Sequence, residues 1–144
     1  MTQTLPDSAS DGGLRLAFMS GKRPPDVPLL IAATIDCSDL ERMTQFWGGL
    51  LDVEFQIAEP FGFLAHAPDR KTTIWLQQVP EEKAGKNRVH LDFVVSDLDA
   101  ALARVESLGG GVGDRTQWHD FVWNTCRDPE GNVFDIMQAQ QPQN

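Results

Sequence analysis

The chain states one segment twice. Ala32 to Leu40 reads Ala-Ala-Thr-Ile-Asp-Cys-Ser-Asp-Leu, and His90 to Leu98, 58 positions later, reads His-Leu-Asp-Phe-Val-Val-Ser-Asp-Leu with no gap between the two. Ser38 falls on Ser96, Asp39 on Asp97, Leu40 on Leu98 and, further along, Leu50 on Leu108. A repeat of this length means one supersecondary unit used twice, and the surface between two copies is a natural place for a ligand. The chain therefore divides into module one (29–80) and module two (88–139), with Pro80 to Lys86 as a polar linker. The copies differ where it matters most: the register that carries His90 in the second carries Ala32 in the first.

Each unit reads strand, helix, strand, strand, strand. In the first, the apolar run Leu29–Cys37 ends at Ser38-Asp39-Leu40-Glu41, which has the pattern of a capping box with Ser38 as the cap and Glu41 answering it. Leu40, Met43, Phe46, Trp47, Leu50 and Leu51 then recur at helical spacing. Strands are expected at Val53–Ile57, Phe61–Ala65 and Thr72–Val79. In the second unit, Val89–Val95 is a strand and Ser96-Asp97-Leu98-Asp99 again starts a helix, with Leu98, Ala101, Leu102, Val105 and Leu108 as its apolar stripe. Gly109-Gly110-Gly111 stops that helix. Strands follow at Gly111–Asp114, Asp120–Cys126 and Asn132–Gln138, the last two joined by the turn Asp128-Pro129-Glu130-Gly131-Asn132. The fold class is α+β: two tandem βαβββ modules forming a curved eight-stranded mixed sheet around a cleft, with the helices outside. Residues 1–28, rich in Ser, Asp, Gly and Pro, read as a mobile arm in which only Leu14–Met19 has an apolar character, and residues 140–144 as a tail.

Composition sets the class of partner. The formal charge of −9 argues against nucleic acid and anionic membranes, both of which need a positive field. No apolar run approaches the roughly 20 residues of a membrane span, and the first residues have neither the basic start nor the apolar stretch of a secretory signal. Cys37 and Cys126, without metal spacing, read as reduced thiols of a cytoplasmic protein. The chain has no tyrosine, which removes phenol acid–base chemistry.

The duplicated Ser-Asp-Leu starts, Phe46-Trp47 followed by Leu50-Leu51, Lys86-Asn87-Arg88-Val89-His90, and Asp128-Pro129-Glu130-Gly131-Asn132 leading into Phe134-Asp135-Ile136 together resemble the vicinal oxygen chelate superfamily of glyoxalases, bleomycin-resistance proteins and extradiol dioxygenases, over about residues 29–139. In metal-dependent members of that superfamily each unit gives a His or similar ligand from its first strand and a carboxylate from its last. The four converge on a divalent cation that polarises neighbouring substrate oxygens. The resemblance implies His90 and Asp135 as catalytic and metal-ligating residues in module two. In module one the first-strand position is Ala32. Aligning Phe63–Ala67 on Val122–Cys126, an offset of 59, puts Leu76 at the last-strand position, with Gln77 there only if the register slips by one. The implied cofactor is thus a divalent metal on an incomplete ligand set, or none.

Strand alternation names the rest of the cleft face: His90, Asp92 and Val94 with Val133, Asp135 and Met137 in module two, and Ala32, Thr34 and Asp36 with Ile74, Leu76 and Gln78 in module one. The opposite parity (Leu91, Phe93, Val95, Phe134, Ile136 and, in the first copy, Trp75) suits packing under the helices. Asp36, Thr34, Asp92, Leu76, Gln78, Trp123 and Met137 are accordingly the candidate ligand-binding residues. Trp118 offers a second flat surface for a planar molecule, while Trp47 belongs to the helix stripe. His66 and His119 read as loop or strand-end residues, and Lys86 and Arg88 as surface charges that could also meet a substrate carboxylate. Two functional readings stand. One is a glyoxalase-like lyase or isomerase acting on a small oxygenated metabolite, with His90 and Asp135 holding a metal or working as an acid–base pair. The other is a non-catalytic protein that sequesters an antibiotic-type molecule. A homodimer through the outer sheet or helix face is expected in either case.

Overall fold

A computed structural model describes residues 26, 30, 32–64 and 73–140 of the 144. Within them the order is β1 (Ala32–Cys37), α1 (Leu40–Leu51), β2 (Phe55–Ala58), β3 (Phe61–Leu64), β4 (Thr73–Gln78), β5 (Leu91–Val95), α2 (Leu98–Ser107), β6 (Gly111–Trp118), β7 (Phe121–Arg127) and β8 (Val133–Gln138). The βαβββ plan therefore occurs twice. Nearly all of the N-terminal arm, with Leu14–Met19, lies outside the described residues, as do Ala65, His66 and the tail after Gln140. No helix among the described residues is long and apolar enough to cross a membrane.

The eight strands form two four-stranded sheets, ordered β1-β4-β3-β2 and β5-β8-β7-β6, in place of one continuous sheet. In each, the first strand pairs with the last in parallel and the remaining pairs are antiparallel. β1 and β5 are thus the corresponding edge strands. Strand β6 continues past the expected end at Asp114 to Trp118, after a register shift between Val112 and Arg115. The buried Asn124 side chain bridges this irregularity, donating to the Gly113 carbonyl (2.9 Å) and accepting from Arg115 Nε (3.3 Å). That is why a polar stretch remains a strand.

Both helices start one residue later than a Ser cap would place them. Asp39 caps α1 by accepting from the Arg42 amide (3.0 Å), and Asp97 caps α2 by accepting from the Ala100 amide (3.0 Å). The expected capping box fails at Ser38 because its amide (2.7 Å) and hydroxyl both donate to Glu130 of the other module. Helix α2 ends as expected at Gly109, whose φ of +87° only glycine adopts readily, while Gly110 donates to the Val105 carbonyl (2.9 Å).

An aromatic seam joins the modules. Phe46 and Trp47 on α1 belong to module one, and Phe93 and Phe134 to module two. The Trp47 ring lies 4.9 Å from that of Phe134 and 5.9 Å from that of Phe93, and the Phe46 ring stands edge-on to Trp47 at 5.3 Å. Phe46, Trp47 and Phe134 are fully buried, so this contact carries much of the hydrophobic driving force for keeping the halves together. Gly110 lets it close: a Cβ there would stand 2.7 Å from Phe46 Cε2 and from the Arg127 carbonyl oxygen. Arg104 Nε adds a bond across the boundary to the Gly49 carbonyl (2.7 Å).

Register assigns every strand residue a face. In module two Asp92 pairs with Asp135, Val94 with Met137, and Thr125 with Asp135, all on the face away from α2, while Leu91, Phe93, Phe134 and Ile136 lie on the core side. This agrees with the alternation read from the sequence. In module one the pairs are Thr34 with Trp75, Asp36 with Gln77 and Ile35 with Leu76. Ile74 and Leu76 are therefore core residues, Leu76 with no exposed surface, and Gln78 turns to the helix start, where Nε2 donates to the Ser38 carbonyl (3.2 Å). Trp75 and Gln77 take the face assigned to Leu76 and Gln78. The end strands thus correspond at an offset of 60 rather than 59. Gln78 on the Ser38 carbonyl matches Gln138 on the Ser96 carbonyl (2.7 Å), and the Val79 amide on Cys37 matches the Ala139 amide on Val95. Replacing Leu76 by Ala is expected to lower the unfolding free energy by about 2–5 kcal/mol, and replacing Gln77 by about 0.5 kcal/mol or less. Urea midpoints of the two variants check the face assignment.

Candidate functional site

His90 stands immediately before β5, outside the strand expected to contain it, and a neighbouring side chain fixes its place. Asn87 Oδ1 accepts from the Val133 amide (3.0 Å), and its Nδ2 donates to the carbonyls of Val89 (2.6 Å) and Val133 (3.2 Å). The amide side chain thus ties the segment before β5 to the first residue of β8. This sets His90 beside the strand that carries Asp135.

There His90 Nε2 lies 3.3 Å from Asp92 Oδ1 and 3.5 Å from Asp135 Oδ2. Asp135 is the most enclosed of the three, its side chain 15% exposed against 47% for His90 and 60% for Asp92. Its other oxygen, Oδ1, accepts from the Thr125 hydroxyl (2.7 Å), which fixes the carboxylate plane. The cluster sits on the open face of the second sheet. Val94, Met137 and Trp123 lie one row further along the strands, and the rings of Trp118 and Phe121 stack 6.1 Å apart near the hairpin tip. Trp118 and Phe121 are exposed, so the acidic end of the face grades into an apolar one.

On its other side His90 borders a slit of about 230 Å³ at the module boundary. Thr34, Ile35 and Asp36 of β1 line one wall, while Asn87, Val89, His90 and Leu91 with Asn132, Val133 and Phe134 supply most of the other, with Trp47 also reaching the lining. Thr34 and Asp36 are exposed into this region, as alternation along β1 required. Of the sequence candidates, His90, Thr34 and Asp36 line the slit, while Asp92 and Asp135 meet His90 on the open face of the second sheet, which Met137 and Trp123 extend. Leu76 and Gln78 do not join them. Trp75 occupies the place in module one that Asp135 occupies in module two, since it pairs with Thr34 as Asp135 pairs with Asp92.

His119 lies in the β6–β7 turn, exposed, with φ of +51° and its ring 4.4 Å from that of Trp118, in keeping with a loop histidine. Lys86 and Arg88 are exposed. The two cysteines are free and buried. Burial, with the charges of Glu130 and nearby aspartates, pushes the Cys37 thiol up to about 12, and burial with Asp135 pushes Cys126 up to about 11. Neither forms the thiolate that nucleophilic chemistry needs. Sequence reasoning passed over Asn87 and Asn132. The signal for Asn87 is its place in Lys-Asn-Arg-x-His, three residues before His90.

A pair of βαβββ modules with a polar cluster and slit where they meet is the architecture of the vicinal oxygen chelate superfamily. The model of the glyoxalase-like domain family matches residues 32–137, and the chain belongs to that family. Among solved structures, a glyoxalase/bleomycin resistance protein/dioxygenase family enzyme from Burkholderia phytofirmans PsJN superposes with a TM-score of 0.67 at 18% identity, covering 78% of this chain and 100% of that one. The fosfomycin resistance protein FosX from Mesorhizobium loti gives 0.62 at 22%, covering 78% and 92%. A glyoxalase-related enzyme from Fulvimarina pelagi gives 0.63 at 14%, covering 78% and 89%. At these identities the likeness establishes fold. Among curated proteins no sequence matches the chain.

The ligand pattern of the metal-dependent members does not fit both modules. Ala32 carries no donor atom, and Trp75, at the place of Asp135, offers an indole N–H that donates rather than ligates. Any cation held here depends on module two. Replacing Asn87 by Ala removes three hydrogen bonds and is expected to cost about 1–3 kcal/mol. Amide hydrogen exchange should speed up at Val133 and stay unchanged in β1 and β4, which separates a local clamp from general loosening.

Proposed function

We propose that the chain binds a small molecule with neighbouring oxygens in the slit at the module boundary and acts on it as a lyase- or isomerase-type enzyme, with His90 and Asp135 as the working pair. The observation that carries this reading is that His90 borders the slit and at the same time faces two carboxylates. Asp92 and Asp135 orient the imidazole and offset the positive charge it gains on taking a proton. In the isomerase form, His90 removes a proton from a carbon beside a carbonyl. The C–H pair becomes the C=C bond of an enediolate as the C=O π pair moves to the oxygen; the proton is then delivered to the former carbonyl carbon, and the proton of the neighbouring hydroxyl passes to the first oxygen, leaving the new carbonyl. Thr34, on the wall opposite His90, has a hydroxyl that can position a substrate oxygen. A cavity of about 230 Å³ is below the roughly 300–1,000 Å³ of sites for drug-sized ligands, which favours a small metabolite.

The loss of donors at Ala32 and Trp75 favours a second reading, a sequestering protein that returns its ligand unchanged. Titrating ¹⁵N-labelled protein with hydroxyacetone, glycolaldehyde and small 2-hydroxy acids should shift amides at Thr34–Asp36, Asn87–Leu91 and Asn132–Phe134. His90→Ala should weaken that binding about tenfold, or about 1.4 kcal/mol. Absence of these shifts with every probe rejects the site. Shifts without solvent deuterium entering the carbon beside the carbonyl of hydroxyacetone favour sequestration over catalysis.

A further inference from the structure

The lining of the slit includes one carboxylate, Asp36, and it stands on the wall opposite His90, two residues beyond Thr34 on β1. We propose that Asp36 sets the substrate class of this site: a small molecule that carries a protonated amine as well as its neighbouring oxygens, with Thr34 meeting an oxygen and Asp36 the ammonium group. The inference rests on the slit as the binding site and adds which charge that site selects.

Asp36 is exposed and, among the described residues, its carboxylate has no hydrogen-bond or ion-pair partner. Nothing in the lining answers its charge. No lysine or arginine lines the slit among the described residues: Lys86 and Arg88 alternate with Asn87 and Val89, and it is the latter two that reach it. His90, the one group there able to turn positive, already faces Asp92 and Asp135. A ligand between the walls therefore meets Asp36 on one side and an imidazole flanked by two carboxylates on the other. The field is negative even when His90 is protonated. A substrate carboxylate or phosphate would be repelled and would lose hydration without a cation to replace it, which is how like charge excludes a wrong partner. An ammonium group finds an unpaired acceptor. Two residues along a strand separate the Cα atoms of Thr34 and Asp36 by about 6.7 Å on one face. With both side chains reaching inward, an oxygen and a nitrogen four or five bonds apart fit that span.

The test compares three probes on one carbon frame: 4-amino-1,2-butanediol, 1,2-butanediol and 3,4-dihydroxybutanoate. Each is titrated into the ¹⁵N-labelled full chain at pH 7, where the first is a cation and the last an anion. The amides of Thr34–Asp36 should report the amine binding about fivefold tighter than the diol, the upper end for a solvent-accessible ion pair. The carboxylate should bind more weakly than the diol, as the 2-hydroxy acids should bind more weakly than hydroxyacetone. Asp36→Asn should bring amine and diol to within about twofold of each other, and Asp36→Glu should keep part of the preference. Salt at about 1 M should narrow the gap between amine and diol in the wild type. Arg88→Gln should leave the order of the three probes unchanged. Unaltered amide positions away from the slit show that each variant is folded. The proposal is overturned if amine and diol bind the wild type equally, if the carboxylate binds tightest, or if Asp36→Asn keeps the preference. Binding of the diol without preference for the amine removes only the charge selectivity. Failure of all three probes to shift these amides rejects the slit and this inference together.

Discussion

The buried carboxylate of Asp128 accepts hydrogen bonds from the amides of Glu130 (3.0 Å) and Asn132 (2.9 Å) and from the Asn132 side chain (2.8 Å). Burial pushes its pKa up, while these bonds pull the other way. The Trp47 indole N–H, buried with no acceptor at hydrogen-bonding geometry, still faces Asp128 closely enough to favour the ionised form. The result is a rigid turn between β7 and β8 with two reaches. Glu130 extends from it to hold Ser38 at the start of α1, which stitches module two onto module one. Asn132 leads from it into Val133, the residue that Asn87 clamps. The depth of Asp135 along β8 and the placement of His90 beside it therefore depend on the same buried carboxylate.

The repeat made the module plan readable because both copies keep their apolar parity and their Asp helix caps. In module two the whole cleft face followed from alternation, since His90, Asp92 and Asp135 are polar among apolar neighbours. In module one the same reasoning failed at the last strand. The copies are 58 positions apart at β1 and β5 but 60 apart at β4 and β8, because module two spends two more residues from the start of its helix to the start of its last strand. An assumed offset of 59 inverted the parity and moved Leu76 from core to cleft. A one-residue error in a strand changes every side chain's face. The apolar run Thr73–Leu76 could not signal the error, because a tryptophan on an open face looks like core.

The contacts across the boundary also had no sequence signature. Ser38 reads as a cap in isolation, and only the arrival of Glu130, 92 residues away, diverts it. Asn87 likewise looks like a linker residue until Val133 is brought opposite it. Local pattern predicts local bonds, and long-range side-chain bonds to backbone compete with them on equal terms.

The asymmetry of the site follows from these placements. Module one supplies the wall that carries Thr34 and Asp36, and the large side chain of Trp75 where a carboxylate would otherwise stand. Module two supplies the imidazole, both carboxylates and every side chain that supports them. A symmetric site would place its reactive centre on the pseudo-twofold axis and require both copies to move together. Here His90, Asp92 and Asp135 all belong to module two, with Asp135 fixed by Thr125 from beside and the segment before His90 fixed by Asn87. The opposite wall is then free to vary in shape without disturbing the distances among His90, Asp92 and Asp135.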